Sequence, residues 1–532
     1  MRAFFLGLVG VVVAALASGC SGGGDTGAGA GGTGGAGGAG GDGGLAGSPY
    51  TPKAIPPLDA AALTTDVTIV PTHDVLGNVK TDPRDVDEMN KMLAMGWGDV
   101  KAGPGEQIVP TTLDGAAPPA PGPSPKLLAR FVHLSDTQLA DDESPARLAA
   151  FDAIGITSGA FRPHEGDECR ILHAAVRTIN AVNHAHPLDF VVLGGDNADN
   201  AQENELGWFL SILDGASKIE CDSGADDDPV PGPDNDGKDP FVSEGLDVPW
   251  YWVTGNHDVL NQGNLQAPPQ DSTAKGTRAA GGTRDWSQPG GPITNGDVPP
   301  DPRRHEMDRH EMLEKIHEAG DGHGITTDVV TYGKAFYTFD TPKGAVRFLV
   351  VDSAAETGGA DGVIHQADVD AFVKPALDKA LADGKLVIVT SHHCSLSISD
   401  GGDFGGTTQS DALTPQEWVD LLAGYPNVIM HLAGHTHVHR VTIATPTSGH
   451  PFWQLETAAL ADFPNQMKMI EIWDQDDGFV TIRAIPLDYA TDGDPVAADG
   501  RRRGIVDRTS AWGYDGSGDP TQRSVDLWIA KP

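Results

Sequence analysis

Positive charge is scarce in this chain: 36 Lys and Arg stand against 75 Asp and Glu, a formal charge of −39 over 532 residues. Phosphate-backbone binding leans on Lys and Arg surfaces, so this balance argues against nucleic acid as a partner, while the acidity itself favours solubility and says nothing of fold. Aromatic residues are few as well, at 6%. After the first 17 residues no apolar stretch is long enough to cross a bilayer. A His-Glu-x-x-His helix is absent, which excludes the zinc-metallopeptidase pattern. Cysteines number only four. Cys169 and Cys221 would be free to pair in an oxidising compartment or to stay apart, and Cys394, next to His393, reads as a buried thiol or, less simply, a zinc thiolate.

The N-terminus supplies the compartment. Met1-Arg2 is a small positive region, and Phe4–Ala17 is an apolar segment too short for a comfortable span. It ends in Leu16-Ala17-Ser18-Gly19-Cys20, which resembles a bacterial lipobox. Residues 1–20 are therefore expected to be a lipoprotein signal with Cys20 lipidated; an ordinary secretory signal is the alternative, because Ala17 is a less typical residue there than Leu. Residues 21–48 are mostly Gly and cannot build a core. They read as a flexible tether with a reach on the order of 30 Å. The expected location is the bacterial cell envelope, as an outer-membrane or periplasmic lipoprotein, or the extracellular space.

Five short clusters of oxygen and imidazole side chains follow in one order. They are Asp136-Thr137-Gln138, Gly195-Asp196-Asn197-Ala198-Asp199-Asn200, Gly255-Asn256-His257-Asp258, His392-His393 and Gly434-His435-Thr436-His437. Asp, Asn and His offer the donors that divalent transition metals take. Each cluster follows an apolar run, such as Phe131–Leu134, Phe190–Leu193, Tyr251–Val253, Leu386–Val389 and Val428–Leu432. Runs of this kind read as buried strands, whose ends would bring the ligands to one sheet edge. Length alone suggests about three domains, but residues 136 and 437 must meet in one site. One large domain with insertions is the expectation.

This series resembles the calcineurin-like metallophosphoesterase superfamily over roughly residues 127 to 490. The stretch Phe452–Thr457 through Phe463–Gln466 is similar to a secreted bacterial subgroup with long inserts. The resemblance implies an α/β fold, a four-layer αββα sandwich with two mixed β-sheets. It also implies a dinuclear centre of two divalent transition metal ions, Mn, Fe or Zn. Asp196 would bridge them, with Asp136, Gln138 and His437 on one ion and Asn256, His392 and His435 on the other. A hydroxide between the ions would attack phosphorus, and His257 would protonate the leaving oxygen or stabilise the transition state. Asp199, Asn200 and Asp258 would orient ligands by hydrogen bonds. Of the histidine pair the family ligates through the first, hence His392. His133, His431 and His439 read as structural or surface histidines.

Gln138 stands where the family usually has His. Its amide oxygen would weaken the first site and tilt it toward Mn or Fe(II). The implied activity is hydrolysis of a small-molecule phosphate ester, mono- or diester, since both share these motifs. The alternative is a silent surface lipoprotein that keeps the fold as a binding module. His257 beside a nearly complete ligand set stands against it.

Residues 49–126 are Pro-rich and read as a wrap with one short helix near Asp85–Met95. Residues 127–490 form the catalytic domain, and 491–532 a C-terminal extension. Helical spacing marks 170–184, 366–382 and 416–423, and a hairpin is expected from Ala335–Asp340 and Ala345–Asp352. Two inserts, 221–246 and 259–303, are poor in apolar residues. The first contains Asp234–Asp239, a partial calcium-loop pattern or a solvated acidic loop. Arg303, Arg304 and Arg309 are candidates for reaching substrate phosphate, or are solvated surface.

The anchor gives the first prediction. Cys20→Ser should move the protein from the membrane fraction to an uncleaved or soluble form, because the acyl chains supply the membrane affinity. Fractionation with fatty-acid labelling checks this. Unlabelled wild-type protein free in the medium would leave a plain secretory signal instead.

Overall fold

A computed structural model describes residues 47–532 apart from residues 79, 156 and 225–229. Cys20, the signal segment and residues 21–46 of the tether lie outside the described residues.

Two mixed sheets make the core. Their strands are β1 (Val109–Thr112), β2 (Lys126–Leu134), β3 (Phe190–Leu193), β4 (Trp250–Tyr251), β5 (Tyr337–Asp340), β6 (Val346–Val350), β7 (Leu386–Thr390), β8 (Val428–Ala433), β9 (Arg440–Ala444), β10 (Phe452–Glu456), β11 (Gln466–Asp474), β12 (Phe479–Asp488) and β13 (Val525–Ala530). The seven-stranded sheet runs β1–β13–β12–β11–β2–β3–β4, and the six-stranded sheet runs β5–β6–β7–β8–β10–β9. β2, β3 and β4 are parallel, as are β6, β7, β8 and β10. Their apolar runs are buried along nearly the whole length, as strands covered on both faces require. With helices outside, this is the four-layer α/β sandwich that the strand pattern and the resemblance imply.

Aromatic rings fix the two sheets against each other. Phe131 and Phe190 from the first sheet meet Phe348 and Phe339 from the second, with centroids 5.2–5.4 Å apart and rings near perpendicular. Edge-to-face packing of this kind adds to the burial of each ring. The sheets therefore keep a fixed offset, and so do the loops at their carboxyl ends.

The helices expected from spacing form at Val86–Ala94, Glu168–Ala185 and Pro415–Ala423. The first is capped by Asp85, whose carboxylate accepts from Glu88 N. The 366–382 stretch is helical with a π-type turn at Val369–Val373. The hairpin forms from β5 and β6.

The core sheet also takes in strands from the stretches read as wrap and extension: β1 and β13 pair in parallel at its far edge. Further along, Lys53–Ala54 pairs with Phe241–Ser243, and Arg177 holds Pro56 O. The C-terminal helix Pro495–Thr509 packs on both Glu168–Ala185 and Val86–Ala94. Cys169 and Cys221 form a disulfide, and Cys394 is a buried free thiol.

The inserts are folded rather than loose. Residues 259–303 form two short hairpins and a helix, Ala267–Ala274. In the other insert Asp234 faces Arg170 and Lys53, and Lys238 reaches Asp142 at 2.7 Å. That acidic stretch is bound up in ion pairs and does not form a calcium loop.

Phe190 carries the second prediction, since it touches rings of both sheets. Phe190→Ala should cost about 3–5 kcal/mol of stability in denaturant unfolding. A loss below about 1 kcal/mol would mean that the sheets are not held together there.

Candidate metal centre

At the ends of β2, β3 and β8 the chain turns through an unusual backbone. Asp136, Gln138, Asp196, His435 and His437 all have positive φ, between 43° and 69°. Each such residue costs on the order of 1–3 kcal/mol and persists only where its surroundings over-determine it. Here they do. Asp136 N donates to Gly195 O, Gln138 N to Asp196 O, and Leu460 N and Ala461 N to Ser135 O and Asp136 O. Gly255 and Gly434 are needed for a different reason. A Cβ on Gly255 would lie 2.1 Å from Asp196 Oδ1, and one on Gly434 would lie 2.5 Å from Asp136 Oδ2. Glycine there lets three loops close on the two carboxylates.

Donor atoms of Asp136, Asp196 and His437 lie within 4.8 Å of one another. His437 Nε2 is 3.2 Å from Asp136 Oδ1, and His392 Nε2 is 3.0 Å from Asp196 Oδ2 and 3.9 Å from Asp136 Oδ1. Gln138 Nε2 is 3.4 Å from Asp196 Oδ2. A second group brings His392, His393 and His435 equally close. Within it His393 is already engaged on both nitrogens, by Ser353 Oγ at 2.8 Å and Ala360 O at 2.9 Å. His392 is held on one side only, with Nδ1 donating to Gly194 O at 2.7 Å. His392 is thus the member of the pair with a nitrogen left for the site.

The donor set fits divalent cations. Gln138 Oε1, Asn256 Oδ1 and His392 Nε2 are buried without a hydrogen-bond partner among the described residues. A buried polar atom without a partner is costly, and a cation is what oxygen and imidazole donors of this kind accept. Asn256 Nδ2 donates to Gly263 O, which leaves the amide oxygen as the free atom. Electrostatics point the same way. Burial opposes ionisation of Asp196, but the charges of His392 and His257 outweigh it and hold its carboxyl well below the usual range. Burial also opposes charge on His392 and His437, yet Asp196 and Asp136 raise them to about 9 and about 10. His435 is pushed down to about 3, first by burial and then by the neighbouring His392 charge. The paired carboxylates draw positive charge onto whatever stands beside them.

Around this cluster a further layer of side chains fixes the imidazoles. His257 is 17% exposed at the side chain, where most of the cluster is sealed. Its Nδ1 donates to Asp199, 2.9 Å from Oδ1, while its backbone N donates to Asp196 Oδ1 at 2.8 Å. Asp199 is in turn held by Arg147 at 3.0 Å. His437 Nδ1 donates to Asp462, which Arg162 grips with bonds of 2.7 and 3.2 Å. Asp258 accepts from the backbone N–H groups of Gly255, Asn197 and Ala198, joining two ligand loops without touching the cluster's free donors. Asn200 donates to Glu205 and Asp199. His133, His431 and His439 are buried and hydrogen-bonded to Thr457, Ser391 and Gln466.

Arg303, Arg304 and Arg309 are engaged elsewhere. They bind Asp301, Asp141 and the Ala354 carbonyl, respectively. Asp462, Arg162 and Arg147 carry no motif signal of their own. Asp462 does lie just before the Phe463–Gln466 stretch, which was the available pointer.

Strand-end ligands on a two-sheet sandwich define a class, the metal-dependent phosphoesterases. Residues 129–439 match the calcineurin-like phosphoesterase family, and the chain belongs to that family. Among solved structures it is similar to the purple acid phosphatase PPD1 from yellow lupin (Lupinus luteus) seeds, at 12% identity and TM-score 0.30, over 69% of this chain. It spans about half, 52%, of that protein's length. It is also similar to GAP50, the anchor in the inner membrane complex of Plasmodium, at 12% identity and TM-score 0.28, over 68% of this chain and 84% of that one. No curated protein matches the chain.

Gln138 gives the third prediction. Its side chain lies against Asp196 with a buried, unpartnered oxygen. Gln138→His should tighten one metal and shift preference from Mn toward Zn, because imidazole suits Zn better than an amide does. Calorimetric titration of metal-free protein with each ion measures this. Equal affinities in wild type and variant would put Gln138 outside the coordination sphere.

Proposed function

We propose that the chain hydrolyses small-molecule phosphate esters with a dinuclear centre of Mn, Fe or Zn. The observation that carries this is the convergence of Asp136, Asp196, His392 and His437 within hydrogen-bond range, with buried donors left over for cations. Asp136, Gln138 and His437 would hold one ion and Asn256, His392 and His435 the other, with Asp196 between them. Such a pair, when bound, neutralises phosphate charge and brings the pKa of water near neutral.

The chain's own groups do the rest. Asp199 holds His257 by Nδ1, which turns Nε2 toward the open side of the cluster. Burial works against charge on His257, but Asp196 and Asp199 raise its pKa, so Nε2 keeps a proton to give to the leaving oxygen. The sealed positions of Asp136 and Asp196 exclude bulk water from their far side. By the same reading the enzyme is exported and tethered through Cys20 at the cell envelope. A silent binding module would have no use for a protonated, exposed His257 at this point.

Two variants test the assignment, the fourth prediction. Asp196→Ala should lose both metals and all activity. His257→Ala should keep the metals and lose about 10²–10⁴-fold in rate, the usual worth of a positioned acid. Metal content and turnover of an aryl monoester and an aryl diester, with Mn, Fe, Zn and Mg supplied in turn, are the measurements. Full activity in Asp196→Ala would rule out the two-metal centre.

A further inference from the structure

One segment, residues 147–165, reaches both ends of the site. Arg147 lies behind Asp199 and so behind His257, while Arg162 lies behind Asp462 and so behind His437. Glu165 joins the two, because its Oε1 accepts from the Arg147 guanidinium and, at 2.9 Å, from Arg162 N. A second bond, His164 Nε2 to Ala461 O at 2.6 Å, docks the segment on the loop that carries Asp462. That loop is itself bonded to the Asp136 turn. The resulting chain alternates in charge: Asp199, Arg147, Glu165, Arg162, Asp462. All five side chains are nearly sealed from solvent, at 0–3% exposure.

We infer that this segment is a positioning strap, in which Arg162 through Asp462 fixes His437 for the metal and Arg147 through Asp199 fixes His257 for proton transfer. The inference rests on the metallohydrolase reading of the site. A carboxylate facing Nδ1 makes that nitrogen the donor and leaves Nε2 as the atom presented to the cluster. Arg is suited to the task, since its fork holds a carboxylate at two points and stays charged when buried. The consequence is a division of labour. Loss of Arg162 or Asp462 should be felt as lost metal, and loss of Arg147 as lost rate.

The test, the fifth prediction, uses the full chain loaded with Mn²⁺ and counted by atomic emission. Wild type should hold two ions per chain. Asp462→Asn and Arg162→Met should drop to about one, as His437→Ala does, and Arg162→Lys should recover part of the second. Arg147→Met should keep both ions and lower kcat at least tenfold with KM unchanged. Adding His257→Ala to it should then give no loss beyond His257→Ala alone. Should a variant fail to fold, imidazole ¹⁵N spectra of the Zn²⁺-loaded wild type decide instead, with Nδ1 of His437 and of His257 expected to carry a proton. Folded Asp462→Asn and Arg162→Met proteins with two ions at wild-type affinity would overturn the strap, as would a His437 protonated only on Nε2. A wild type that binds no Mn²⁺ at all would instead overturn the metallohydrolase reading itself.

Discussion

Two buried carboxylates at one sheet edge set the terms for the rest of this structure. Asp136 and Asp196 are sealed from solvent with ligand atoms in the same 4.8 Å cluster. At that spacing and an effective dielectric of 20, two like charges repel by about 3–4 kcal/mol. Burial alone would protonate them, yet both are held ionised by the imidazoles around them. A fold that keeps such a pair charged has built a place for cations.

The architecture follows from that need. Ligands separated by some 300 residues in sequence, Asp136 and His437, must meet with little tolerance. Parallel strands deliver their carboxyl ends to one edge, and the interlocked aromatic rings fix one sheet against the other. The left-handed turns then aim the side chains inward, at a backbone cost that the surrounding hydrogen bonds offset. Binding a divalent ion requires neutral imidazole, so protons now drawn onto His392 and His437 would leave as metal enters.

Much of this was legible in the sequence because ligands and strands are local features. Each cluster sits directly after a run of buried apolar residues, so the strand and its terminal chemistry can be read together. Elements without such a run were harder. β1 reads Val-Pro-Thr-Thr and lies at a sheet edge, with no apolar pattern to mark it. The hairpins within 259–303 have strands of two residues, below the length at which a period shows. The Arg147 and Arg162 contacts are harder still, because an ion pair between distant loops leaves no periodic trace. The choice between His392 and His393 rested on family resemblance alone. In the structure it rests on which ring already has both nitrogens engaged.

Diffraction from crystals soaked in Mn²⁺, recorded at the manganese absorption edge, tests the central claim most directly. The account predicts two anomalous peaks beside Asp196, one facing Asp136 and His437 and one facing Asn256, His392 and His435. A single peak elsewhere, such as at the acidic Asp141–Glu143 stretch, or no peak at all, would contradict it.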